Sequence, residues 1–203
     1  RKLAKENIFS KTVVFGLGMT GLFIADQIRR NHPDAKILFV GRSGEDSKKV
    51  DFSKEIVDAD YLCTAGLSEE ETAEKIMEKI RGRATMFVGT SGSNVEHRIA
   101  FQYRVLGCNG IYNSFSLGPK VEYDTMPFGF ENHLIFASIN FRQSHMEKAI
   151  DVLVDSRYDE VVELIDKEEF IKDPLDAYEN KIFCKGAPLK TGVIWNKEYM
   201  EAE

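Results

Sequence analysis

The chain has 203 residues, with 33 acidic against 27 basic side chains and a net charge of −6. That length holds one sizeable core, or one domain with an appendage. The acidic balance and the lack of a long basic run argue against nucleic acid as a partner. No apolar run approaches the roughly 20 residues of a membrane helix. The charged opening RKLAKENIFSK is no secretory signal, so a cytoplasmic protein away from membranes is expected. Cys63, Cys108 and Cys184 lie far apart, an odd and sparse set that fits buried thiols in a reducing compartment better than a disulfide framework.

Along the chain, TVVFG (12–16) reads as a buried strand and GLFIADQIRR (21–30) as a helix, stopped by the turn chemistry of NHPD. KILFVG (36–41) and DADYLCT (58–64) are the next two strands. SEEETAEKIMEKIRG (68–82) is a helix that Ser68 can cap, with Glu69, Glu70 and Glu71 at the positive end of its dipole. ATMFVGTSG (84–92) is a strand ending in a small-residue turn, VEHRIAFQYR (95–104) a helix, and VLGCNGIYN (105–113) a strand holding two glycines. After the loop 114–132, with room for a short helical turn, come a sixth strand, HLIFASIN (133–140), and a helix, SHMEKAIDVLVDS (144–156).

Strands apolar along their length that alternate with helices imply a parallel sheet covered on both faces. The expected fold class is therefore α/β, a doubly wound six-stranded parallel sheet of the Rossmann type, over residues 1–156. From residue 157 to 203 the rhythm breaks into strand, short helix and strand, a segment too small for its own core.

The first strand runs into VVFGLGMTGLFIADQIRR, where Gly16, Gly18 and Gly21 stand in the order G-x-G-x-x-G. The spacing alone is weak, since turns are rich in glycine, but here it follows a strand and opens a helix. Gly16 permits the tight turn, Gly18 lets the backbone approach a pyrophosphate, and Gly21 lets helix and strand pack closely. The helix N-terminus offers unpaired N–H groups to an anion. Leu17, Met19 and Thr20 complete this expected dinucleotide cradle. At the end of the second strand an NAD site wants an acid for the ribose 2′-hydroxyl. The chain has Gly41, Arg42 and Ser43 instead, which gives room, charge and a hydrogen-bond donor to a 2′-phosphate. NADP is thus the expected cofactor, with NAD use left open. Further cofactor contacts are expected at the later strand ends: Thr90, Ser91 and Gly92; Tyr112 and Asn113; Ser138, Ile139 and Asn140.

ASINFRQSHMEKAIDVL (137–153) resembles the sixth strand and following helix of the glucose dehydrogenase branch of the zinc-dependent medium-chain dehydrogenases. ATMFVGTSGSNVEHRIAFQYRVLGCNGIYN (84–113) is similar to that family's fourth strand, helix and fifth strand, and LKTGVIWN (189–196) to its closing strand. The resemblance covers nearly the whole chain. It implies oxidation of a glucose-like aldose at C1, or of another alcohol, with hydride passing to NADP. It implies that Asn140 contacts the sugar, and that members self-associate, as dimers or tetramers, along the outer edge of the sheet. His145 matches a family position and is read here as packing or capping at the helix start.

The family's catalytic zinc lies in an N-terminal domain, and His32, His97, His133 and His145 show no metal-ligand spacing. No catalytic residue and no metal ligand is therefore expected here. A chain starting at Arg1 is expected to be the C-terminal, cofactor-binding part of a larger dehydrogenase, inactive alone, with residues 157–203 returning to the catalytic domain. The other reading is a non-catalytic module that senses NADP(H) by binding it.

Overall fold

The computed structural model describes residues 7–115, 125–137, 141–154, 165–168 and 190–193. The chain divides into two compact units, Arg1–Phe141 and Arg142–Glu203. In the first, β1 (Lys11–Phe15), β2 (Lys36–Gly41), β3 (Asp60–Cys63), β4 (Ala84–Gly89), β5 (Leu106–Ser114) and β6 (Leu134–Ala137) form one sheet. Its order is β3-β2-β1-β4-β5-β6 and every pair is parallel. The reversal of direction at β1 makes this the doubly wound Rossmann arrangement.

Between the strands run α1 (Met19–Asn31), α2 (Lys48–Glu55), α3 (Glu69–Ile80), α4 (Asn94–Phe101) and α5 (Thr125–Phe130). Strand residues alternate between two buried faces. On one face Val13, Phe15, Leu38, Val40, Leu62 and Phe87 form a core with Ala73, Ile76 and Ile80 of α3 and Ile99 and Ala100 of α4. On the other, Val14, Ile37 and Phe39 are equally buried, and α1 comes down on Val14 at Gly21. Both faces are covered, which is why these strands read as continuous apolar runs rather than alternating ones.

Ser68 caps α3 as the sequence predicts. Its hydroxyl accepts from Glu71 N at 3.1 Å, and the Glu71 carboxylate accepts from Ser68 N at 2.7 Å, a reciprocal capping box. α2 is absent from the sequence reading, because KKVDFSKE offers only Val50 and Phe52 as apolar anchors. The glycines inside β5 mark a bulge. Ala84 pairs with Leu106 but Met86 with Ile111, and Asn109 takes φ 59°. The bulge turns Cys108 out to solvent, correcting the expectation that the thiols are buried, whereas Cys63 is half-buried. Cys184 lies outside the described residues. Glu131 clasps this region: its carboxylate pairs with Arg83 and Arg104, and its carbonyl accepts from Asn109 N.

In the second unit, α6 (Gln143–Leu153) is followed by β7 (Ile165–Glu168) and β8 (Lys190–Val193), a parallel pair. His145 Nδ1 accepts from Arg142 N at 3.3 Å at the start of α6, in keeping with a capping role.

Candidate functional site

Because all six strands are parallel, their carboxyl ends lie on one edge of the sheet, and the chain reversals there are tied together. Gly16 N donates to Val40 O, Thr64 N to Gly41 O, Thr90 N to Phe15 O and Phe115 N to Gly89 O, at 2.7–2.9 Å. The glycine turn, the Gly41–Ser43 turn, the Thr90–Gly92 turn and Asn113 are thereby brought to one edge. Ser138, Ile139 and Asn140 lie outside the described residues.

The three glycines of the first turn have different reasons to be glycine. Gly16 has φ +114°, and a Cβ there would lie 2.5 Å from Thr90 Oγ1 and 3.1 Å from Ser91 N. Gly21 is helical, but its Cβ would lie 2.4 Å from Gly16 O. Both are required by the fold itself. Gly18 is extended, at φ −108° and ψ 176°, and a Cβ there would meet nothing within 4 Å. Nothing among the described residues demands glycine at position 18. Gly21→Ala should therefore destabilise the free protein by about 1–3 kcal/mol, the usual range for overpacking a close contact. A thermal melt reads this as a fall of several degrees, and an unchanged melting temperature would contradict the contact.

Gly18 is also the N-cap of α1. It gives no side-chain cap, and the first turn carries no acid. α2, α3 and α4 are each capped by a serine, and each has an acid in its first turn. The first N–H groups of α1 and the positive end of its dipole therefore remain for another acceptor. Leu17 is buried beside Gly41, so its backbone rather than its side chain belongs to the edge.

The turn after β2 is braced from β3. The buried Tyr61 hydroxyl donates to Ser43 O at 2.8 Å, and Thr64 Oγ1 donates to Gly41 O at 3.1 Å. Burial, aided by nearby Cys63, pushes the Tyr61 phenol up to about 12, so it stays a protonated donor. Arg42 stands exposed on this turn and makes no hydrogen bond or ion pair with a described residue.

The turn after β4 is pinned at both ends. Thr90 Oγ1 reaches the carbonyls of Phe15 and Gly16 at 3.0 and 3.1 Å. Ser91 N and Oγ both donate to Glu96, at 3.0 and 2.7 Å. The sequence reading missed Glu96, which is 0% exposed. Its one signal is the S-x-x-E spacing from Ser93, which reads as an ordinary capping box. In the structure the Ser93 hydroxyl accepts from Val95 N, and Glu96 turns to Ser91 instead.

Tyr112 and Asn113 part company. Tyr112 is fully buried, its ring against Phe87, His97 and Phe101, and its hydroxyl directed to Glu96. It presents no surface to a ligand and supports the edge from beneath. Adjacent residues of a strand face opposite sides, so only one of the two could join this core. Asn113 is 7% exposed, and its Oδ1 is buried with no hydrogen-bond partner among the described residues. A buried amide oxygen without a partner costs about 1–3 kcal/mol, which a ligand donor would offset.

Among the described residues no group of three His, Cys, Asp or Glu side chains could hold a metal ion. Burial instead keeps His97 and His133 below the usual imidazole range; for His133 a bond to Gly107 O opposes this. A histidine depressed in the fold binds fewer protons than in the unfolded chain, so stability rises with pH across that window. Urea melts should accordingly show stability falling as pH drops below 6.5. A further fall is expected below 4.5, where Glu69 and Glu131, held low by Arg98 and by Arg104 with Arg83, lose their charge. A flat profile from pH 7.5 to 5 would contradict the histidine assignment.

No protein-family model matches the sequence, and no curated protein matches it. Solved structures do. Glucose dehydrogenase of Haloferax mediterranei, in complex with NADP, Zn and gluconolactone, is similar with a TM-score of 0.69 at 14% identity, over 96% of this chain and 53% of that one. For 2R,3R-butanediol dehydrogenase of Bacillus subtilis the TM-score is 0.70 at 19% identity, over 96% and 53%. For an alcohol dehydrogenase of Thermotoga maritima it is 0.62 at 21%, over 80% and 45%. At such identities the likeness establishes the fold. The chain spans about half the length of these proteins.

Proposed function

We propose that this chain is the NADP(H)-binding part of a zinc-dependent dehydrogenase that oxidises a sugar, a glucose-like aldose at C1, or another alcohol. Gly18 carries the reading: the fold leaves that position free of any contact for a Cβ, and close approach of a pyrophosphate is what asks for glycine there. The exposed Arg42, the uncapped start of α1 and the unpartnered Asn113 Oδ1 support it. The oxidoreductase class and the sugar rest on the named activities of proteins with the same fold and on the sequence resemblance.

In this reading the α1 N–H groups and the backbone at Gly16–Gly18 hold the pyrophosphate, and Arg42 with Ser43 hold the 2′-phosphate. The Thr90–Gly92 turn and Asn113 border the nicotinamide half, with Asn140 at the sugar. NADP, when bound, supplies the hydride acceptor, and this chain supplies placement and electrostatics. The catalytic zinc belongs, on this proposal, to residues outside the chain. Self-association along β6, the outer strand of the sheet, is part of the same proposal. Leu134 and Phe136 are exposed there, and an unpaired edge invites pairing.

Titration calorimetry with NADPH and then NADH tests the binding reading. Saturable binding, tighter for NADPH, is expected, whereas no binding of either at millimolar concentration overturns it. The sugar assignment is tested on the full-length protein, by formation of reduced cofactor with a panel of aldoses and simple alcohols. Light scattering at rising concentration tests association. No helix among the described residues is long and apolar enough to cross a membrane.

A further inference from the structure

We propose that Glu96 is a positioning residue for the ligand edge: its buried carboxyl group holds the Thr90–Gly92 turn against Gly16 and so sets where that turn meets a bound dinucleotide. This rests on the dinucleotide reading above.

Glu96 sits in the first turn of α4 and is 0% exposed. Oε2 accepts from both Ser91 N and Ser91 Oγ, and Oε1 faces the Tyr112 hydroxyl at 3.4 Å. Room for it is built into β4. A Cβ on Gly89 would lie 2.6 Å from Glu96 Oε1 and 2.4 Å from the Tyr112 hydroxyl. On the other side of the turn, Thr90 Oγ1 is bonded to the end of β1, and Ser91 N lies 3.1 Å from the place a Gly16 Cβ would take. The turn is thus gripped from α4 at Ser91 and from β1 at Thr90, and it rests directly on the glycine turn.

A buried carboxyl group is a costly way to fill space, and apolar side chains do it at lower cost. Ile99 and Ala100 show that α4 fills its core face with apolar side chains where packing is all that is needed. The bonds Glu96 makes to Ser91 serve one segment, and that segment borders the cradle. The half of the edge at Gly41–Ser43 is braced separately, by Tyr61 and Thr64. Loss of Glu96 should therefore be felt by the nicotinamide side of a dinucleotide and not by its adenosine side.

The experiment compares Glu96→Ala, Glu96→Gln and wild type by calorimetry with two probes, NADPH and adenosine 2′,5′-bisphosphate. Glu96→Ala should weaken NADPH about tenfold or more, since it leaves buried donors unpaired. It should leave the bisphosphate within about twofold of wild type, a difference too small to mark a lost hydrogen bond. Glu96→Gln should restore most NADPH affinity, because an amide oxygen still accepts from Ser91. Should Glu96→Ala fail to fold, Ser91→Ala takes its place, with a weaker loss of the same selective kind.

A Glu96→Ala protein that binds NADPH as wild type does overturns the proposal. So does one that loses both probes equally, which marks a purely structural residue. Either result leaves the dinucleotide reading standing when wild type binds NADPH. Wild type that binds neither probe overturns that reading and this proposal together.

Discussion

Gly18→Ser should leave the fold as stable as wild type, or slightly more so, and should weaken NADPH binding by at least about tenfold. The backbone at Gly18 is extended, which any residue adopts, and among the described residues nothing beyond its immediate chain neighbours lies within 4 Å of the Cβ position. The position is an N-cap, where serine serves as well as glycine or better. The free protein therefore has no reason to resist the change. A ligand pressed against the backbone would have one, because the new side chain fills the approach and its oxygen competes for the α1 N–H groups. A thermal melt and a calorimetric titration on one sample separate the two effects. Unchanged affinity would remove the observation on which the proposed function stands. Gly21→Ala makes the opposite control, since there the cost falls on the fold whether ligand is present or not.

Arg42→Ala should weaken NADPH about 10- to 100-fold and leave NADH unchanged, the size expected for losing charge-assisted bonds to one phosphate. Arg42 is exposed and makes no hydrogen bond or ion pair with a described residue, so its removal should not disturb the fold. Tyr61 and Thr64 keep the turn in place in the variant. The wild-type preference should shrink as salt rises, because an exposed ion pair is screened. Arg42→Lys should fall between, keeping the charge and losing the planar fork. An equal loss for both cofactors would mean that Arg42 serves the turn and not the 2′-phosphate.

The sheet was readable because its strands are buried on both faces. Val13, Val14 and Phe15 admit no polar residue, and such a run followed by a 3.6-residue pattern describes a parallel unit. α3 was readable because its cap is local: Ser68 and Glu71 satisfy each other three residues apart. α2 was not, since eight polar-rich residues with two apolar anchors resemble a linker, and only their burial beside the sheet reveals the helix. Tyr112 and Asn113 were indistinguishable as letters at a strand end. Their roles separate by the face each presents, one to the aromatic core and one to an unmatched buried position.

By itself, the sequence determined the strand–helix alternation, the order of the elements and the place of the glycine turn. These follow from burial periodicity and capping within a few residues. Only the tertiary structure decided which glycines serve the fold and which one does not. For Gly16 the contacts that answer this come from Thr90 and Ser91, more than 70 residues away along the chain, and for Gly21 the answer is the Gly16 carbonyl that the turn folds back over the start of α1. It alone decided that Glu96 reaches Ser91 rather than closing a capping box with Ser93, because that choice depends on the room left at Gly89 and on the Tyr112 hydroxyl brought alongside by β5.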